Sequence, residues 1–153
     1  MTMSMKATGR SSGIEAILPV DINKIVAKTY LGAMAGRGDV DLFETTLADD
    51  YEVILTGQSK ISGTLSREQH LAFVRAIPKM FVTGLNFEIL SMTAEGDRVA
   101  CESRVTCTLV NGLEYNNEYL HLFRFRDGKI CRTNEFMDTQ LAETALLPII
   151  VLE

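Results

Sequence analysis

YNNEYLHLFRFRDGKICRTNEFMD, residues Tyr115 to Asp138, sets two amphipathic runs on either side of the dipeptide Asp127-Gly128. Apolar and polar residues alternate from Tyr115 to Phe125 and again from Lys129 to Asp138, the period of a half-buried strand. Asp-Gly between two such runs predicts a β-hairpin. His121 lies mid-strand among aromatics, and Glu135 stands at nearly the same height on the return. An imidazole and a carboxyl in one apolar pocket form a candidate general acid/base pair, so the hairpin register decides how much chemistry this stretch supports.

Two registers are open. A two-residue turn pairs Arg126 with Lys129 and His121 with Asn134, which points Glu135 away from His121. A three-residue loop, Arg126-Asp127-Gly128 with Gly128 left-handed in a G1 bulge, puts Phe125 opposite Lys129, His121 opposite Thr133 and Tyr119 opposite Glu135. His121 and Glu135 are then diagonal neighbours, roughly 7–8 Å apart at the backbone. Their face also carries Tyr119, Phe123, Phe125, Cys131 and Met137. The three-residue register is the expectation, because it gathers Arg124, Arg126 and Arg132 on the other face.

Outward from the hairpin, Leu85–Ala94 and Arg98–Val110 read as strands joined at Glu95-Gly96-Asp97, with a further turn at Asn111-Gly112. The chain before them is helical. Asp21 is read as the cap of a first helix with Ile22, Ile25, Val26, Thr29 or Tyr30, Ala33 and Met34 at helical spacing, ended by Gly36-Arg37-Gly38. Asp39 caps a second helix through Val40, Leu42, Phe43 and Leu47 that ends near Asp49-Asp50. A short strand, Tyr51–Leu55, and a loop containing Gly57 and Gly63 follow. Ser66 to Gln69 reads as a capping box opening a third helix through Leu71, Phe73, Val74, Ile77 and Met80, with Pro78 disturbing its last turn. Helices followed by a run of antiparallel strands mean an α+β fold with helices on one face of a sheet.

The 153 residues suit one domain, and 46% hydrophobic with 23% charged residues is an ordinary globular balance. A net charge of −5 and the lack of a basic stripe argue against nucleic-acid binding. Cys101, Cys107 and Cys131 fall in strands without C-x-x-C spacing and read as buried thiols, and His70 and His121 lack ligand-spaced partners, so no metal is expected. His70, near a helix start, is expected to be exposed. The polar start MTMSMKATGRSSG and the apolar patch Ile14 to Val20, broken by Glu15 and Pro19, do not make a signal sequence, and no apolar run is long enough to span a membrane. A cytoplasmic location is expected. Residues 1–20 read as a flexible lead, 21–140 as the domain, and 141–153 as an apolar tail over the sheet, a pocket mouth or a partner subunit.

Two segments, AGRGDVDLFETTLADDYEV and FRFRDGKICRTNEFMD, with the element order, resemble the nuclear-transport-factor-2-like superfamily over roughly residues 21 to 140. The resemblance implies three N-terminal helices packed in the concave face of a strongly curved antiparallel sheet, a cone-like α+β barrel. Within it, the aspartate base of ketosteroid isomerases is matched by Leu55, which removes that base. Their oxyanion-binding tyrosine is matched by Tyr30, and His121 stands where they place a protonated aspartate. The Arg-x-Asp motif of limonene-epoxide-hydrolase-like enzymes is not supplied by Glu102-Ser103-Arg104-Val105. SnoaL-like polyketide cyclases fit best: their His-Leu-x-Arg-x-x-Asp-Gly-Lys-Ile turn is matched from His121 to Ile130, and their catalytic aspartate by Glu135, one methylene longer.

That resemblance implies a small cofactor-free enzyme performing aldol-type cyclisation or isomerisation on a hydrophobic carbonyl compound. Glu135 would be the base and His121 the acid or orienting partner, with Tyr30 as a second donor. Met34, Leu55, Phe73, Ile77, Val105, Asn117, Tyr119 and Phe123, with Tyr30, would contact the substrate. A homodimer is implied as well. Two other readings remain open: a non-catalytic binder of small molecules in the same pocket, and an interaction domain that uses the sheet face and tail. Taken alone, Tyr30 reads as a core tyrosine with a wet tip, Phe73 and Ile77 as core, and Asn117 as a strand start.

Overall fold

The computed structural model describes residues 18–82 and 85–150. The elements run α1 (Pro19–Met34), α2 (Val40–Thr45), β1 (Leu47–Leu55), β2 (Gly63–Ser66), α3 (Arg67–Ala76), a 3-10 turn (Ile77–Lys79), β3 (Asn86–Glu95), β4 (Arg98–Thr108), β5 (Glu114–Arg126), β6 (Lys129–Met137) and α4 (Thr139–Ile150). The strands form one curved sheet in the order β2-β1-β6-β5-β4-β3. Every junction is antiparallel except β1 with β6, which is parallel, so the sheet is mixed and the all-antiparallel expectation is corrected there. The α+β class and the cone-like arrangement stand.

Strand alternation makes one face of this sheet the core. Along β5, Tyr115, Asn117, His121, Phe123 and Phe125 are buried while Glu118, Leu120, Arg124 and Arg126 are exposed. Helix α1 packs across β3 and β4, α3 against β1, and α4 against β5. Tyr30, Phe43, Leu47, Val53, Val99, Phe123 and Ile130 lose all solvent contact. Burial of each large apolar side chain of this kind stabilises by about 1.5–3 kcal/mol.

The helix starts show what local chemistry sets. The Asp39 carboxylate accepts from the backbone N–H of Asp41 at 2.8 Å and of Leu42 at 3.3 Å, as the spacing predicts. The capping box is complete: the Gln69 N–H donates to the Ser66 hydroxyl at 3.2 Å, and the Ser66 N–H donates to the Gln69 side chain at 2.9 Å. Helix α1 begins earlier than expected, at Pro19 after Leu18. Proline is tolerated in the first turn because its missing N–H has no helical partner there. Asp21 therefore lies inside the first turn, and Pro19 and Val20 belong to the helix, whereas residues 1–17 of the expected lead lie outside the described residues.

Three further boundaries differ. Helix α2 stops at Thr45 because Leu47 is drawn into the sheet opposite Ile130, a tertiary pairing that overrides helical spacing. The expected loop at Gly63 contains edge strand β2, whose burial pattern is too weak to read in four residues. Residues 139–150 of the tail form helix α4, whose Ala142 and Ala145 are buried, and residues 151–153 lie outside the described residues.

Candidate active site

The hairpin turn is the two-residue form. Asp127 and Gly128 both have positive φ, 52° and 75°, the pattern of a type I′ turn, and Arg126 pairs with Lys129 and Phe125 with Ile130. The register then shifts, and Arg124 pairs with Arg132 and His121 with Glu135. Cys131 is the extra residue of a bulge in β6. The expected three-residue loop and its pairs, His121 with Thr133 and Tyr119 with Glu135, are corrected: an in-strand bulge makes His121 and Glu135 direct partners. Ile130, not Cys131, takes the inward place beside Phe125, and Arg124, Arg126 and Arg132 do share the outer face. Arg126 and Arg132 there pair with Asp50 and Glu52 of β1.

His121 Nε2 lies 3.7 Å from Glu135 Oε1, and both side chains are buried. The imidazole is stacked between its strand neighbours, Tyr119 at 5.5 Å and Phe123 at 5.9 Å between ring centroids, which fixes its plane. Among the described residues, Glu135 Oε1 and His121 Nδ1 have no hydrogen-bond partner. Burial pushes the Glu135 carboxyl up to about 7, with the nearby Tyr30 hydroxyl pulling the other way. Burial, with His70 adding to it, pushes His121 down to about 3. At neutral pH this is a neutral imidazole beside a carboxyl that is half protonated, not a fixed ion pair.

Both groups open onto a cavity of about 500 Å³. Met34, Leu55, Phe73, Ile77, Val105 and Tyr119 line it, as do Leu146, Leu147, Ile149 and Ile150 of α4, so the apolar tail forms part of the cavity wall. Tyr30, Asn117 and Phe123 do not line it. Phe123 is wholly buried against Tyr30, at 5.0 Å between centroids. The Asn117 side-chain amide donates to the Tyr115 hydroxyl and to the Asp138 carbonyl, both at 3.0 Å, and its oxygen accepts from the Asp138 N–H at 3.2 Å. That clamp joins β5 to the start of α4.

Tyr30 is held in a buried chain. The Tyr51 hydroxyl donates to Thr133 Oγ1 at 3.0 Å, and Tyr30 lies 3.0 Å from Tyr51 and 3.1 Å from His70 Nε2. The order that satisfies every contact runs from the His70 N–H to Tyr30, Tyr51 and Thr133. His70 is thus 2% exposed, against the exposure expected of it, and lines the same cavity. Its signal was the spacing His70, Val74, Ile77, one helical stripe, all buried. Tyr51 was likewise readable as inward from its alternation with Val53 and Leu55. Burial holds His70 down to about 4. The Cys101 and Cys107 thiols are pushed up to about 11 by burial. Among the described residues, no group of three or more His, Cys, Asp or Glu is placed to hold a metal, and no helix is long and apolar enough to cross a membrane.

A curved sheet packed with helices on its inner face is the architecture of nuclear-transport-factor-2-like proteins, and solved structures with this fold superpose on the chain. One, from Jannaschia sp. CCS1 and named as a SnoaL-like polyketide cyclase, is 20% identical, with a TM-score of 0.69 over 86% of this chain and 96% of that one. PrhC from Penicillium brasilianum is 13% identical, with a TM-score of 0.73 over 88% and 91%. TerC, co-crystallised with polyporic acid, is 20% identical, with a TM-score of 0.67 over 82% and 98%. At these identities the likeness is one of fold. No curated protein sequence matches. The model of the SnoaL-like domain family matches residues 27–133, and the chain belongs to that family.

Proposed function

We propose that the protein is an acid/base enzyme acting on a hydrophobic carbonyl compound by aldol-type cyclisation or isomerisation, with Glu135 as the base. The observation that supports this most is the Glu135 carboxyl itself: buried, with one oxygen unpartnered among the described residues, held at about 7 and facing an apolar cavity. A base of that pKa is ionised often enough at neutral pH to take a proton and strong enough to do so from carbon beside a carbonyl. His121, 3.7 Å away and neutral, orients the carboxyl. The walls accept an apolar skeleton, and the volume fits a small organic molecule. No cofactor enters this scheme. The same outer sheet face carries Leu120 and Phe136, cross-strand partners 43% and 42% exposed, which suits a homodimer.

The test is exchange of enolisable protons for deuterium in a panel of hydrophobic ketones and β-diketones, followed by NMR. Catalysed exchange lost in both Glu135→Gln and His121→Ala, with folding intact, is expected. Full activity in either variant refutes the assignment, and binding without exchange in the wild type makes the pocket a non-catalytic binding site.

A further inference from the structure

A second polar station lies on the cavity wall. Tyr115 and Tyr119 both line it, and their hydroxyls are hydrogen-bonded to each other. The Asn117 amide donates to the Tyr115 oxygen at 3.0 Å. Two phenols bring two protons, and their mutual contact uses one. Either hydroxyl can donate in that contact; with Tyr115 as the donor, the chain runs one way from Asn117 to Tyr115 to Tyr119 and leaves the Tyr119 proton without an acceptor among the described residues. A chain that donates in one direction polarises its last hydroxyl and makes it a better donor.

Its position relative to the carboxyl is set by the sheet. Tyr119 pairs with Met137 and His121 with Glu135, so Tyr119 and Glu135 are diagonal neighbours on the inner face. Diagonal neighbours lie roughly 7–8 Å apart at the backbone, within reach of long side chains. The Tyr119 ring is stacked on His121, 5.5 Å between centroids and 15° from parallel, which holds the phenol in place. Asn117 is itself anchored to the Asp138 backbone at both its amide and its oxygen, so the donor chain is fixed at its far end.

We infer that the Tyr119 hydroxyl is the oxyanion donor of this site, and that the substrate is a carbonyl compound which seats its oxygen on Tyr119 and its enolisable C–H on Glu135. Tyr115 and Asn117 are positioning residues for that donor. The assignment rests on Glu135 being the base. In the step, the C–H bond breaks, its proton passes to the Glu135 carboxylate, and its electron pair moves through carbon to the carbonyl oxygen. That oxygen becomes an enolate held by the Tyr119 O–H, and the proton returns from Glu135 to carbon in the product. Burial keeps both phenols well protonated, so the donor persists across the working pH range. Tyr30, which the family resemblance nominates for the oxyanion, has its hydroxyl engaged by Tyr51 and His70 and stays off the cavity wall.

The experiment needs no substrate. Binding of 2-naphthol, an apolar enol analogue, is compared with naphthalene in the wild type, Tyr119→Phe and Tyr115→Phe by fluorescence titration. Wild type should prefer 2-naphthol, and Tyr119→Phe should lose about tenfold of that affinity while naphthalene affinity stays within about twofold. Tyr115→Phe should lose less, since the terminal donor survives it. A wild type with no preference for the hydroxyl, or a Tyr119→Phe variant that keeps it, overturns the assignment. If Tyr119→Phe does not fold, Tyr119→Leu takes its place, and a hydroxyl preference kept there overturns the assignment as well. Glu135→Gln separates the two claims: full exchange activity there, with the naphthol preference lost in Tyr119→Phe, refutes the base and leaves Tyr119 as the ligand's oxygen donor.

Discussion

Replacing Glu135 by Gln should make the protein more stable at alkaline pH, by an amount the burial of the carboxyl sets. The folded carboxyl titrates at about 7 against 4.5 for the ordinary group. A carboxyl whose folded pKa lies above its unfolded one holds its proton more tightly in the native state. The stability it contributes is whole below pH 4.5 and is lost as the pH rises through 7. At about 1.4 kcal/mol per pKa unit the loss amounts to about 3 kcal/mol at pH 8 and about 2 kcal/mol at pH 6. Glutamine cannot ionise and escapes that loss. Urea unfolding of wild type and Glu135→Gln at pH 5, 6, 7 and 8 isolates this contribution, because other titrating groups largely cancel in the difference. About 1 kcal/mol of the loss has already occurred at pH 5, so the gap should move in favour of the variant by about 2 kcal/mol between pH 5 and pH 8, with equal m-values. A gap that stays flat within about 0.5 kcal/mol would refute a carboxyl buried out of contact with compensating charge.

Three other outcomes follow from the same geometry. The pH dependence of kcat/KM for proton exchange should rise through about 7 as Glu135 ionises and show no loss on the acid side from His121, which stays neutral down to about 3; a profile limited near 6.5 by an imidazole contradicts this. Tyr51→Phe removes the donor to Thr133 and the acceptor for Tyr30, and should cost about 1–3 kcal/mol in urea unfolding; a neutral result means the buried chain is not a stabilising network. Deleting Cys131 should leave the fold and the Glu135 pH signature in place, because it removes only the bulge; deleting Asn134 should abolish both, because either Arg132 is turned inward or Glu135 outward.

Much of the fold was legible because its signals are local. Asp39, the Ser66–Gln69 box, Gly96-Asp97 and Asp127-Gly128 each act within a few residues, and the structure places a helix start or a turn at every one. The elements that differ from the local signals depend on contacts distant in sequence. Leu47 is a strand residue only because Ile130 lies beside it, and β2 exists only as the partner of β1. Residues 141–150 are apolar enough to hide a helical stripe: nearly every position could be buried, so the sequence has no contrast from which to read a period.

The candidate site shows the same division more sharply. Turn chemistry favoured a two-residue loop, since Asp-Gly satisfies positive φ at both central positions. Face-sorting of the arginines and of His121 with Glu135 demanded the opposite parity. A parity set by the loop alone can satisfy only one of these two signals. The protein satisfies both by placing the extra residue just beyond the Phe125–Ile130 pair, at Cys131, a half-buried residue with no inward role of its own to lose. Parity along a strand is set by every residue between turn and site, so one bulge is enough to turn a carboxylate from solvent to core. Hence His121 and Glu135 meet more closely than the diagonal expectation allowed. His70 and Tyr51, carried on other elements, complete the polar cluster only once α3 and β1 close around Tyr30.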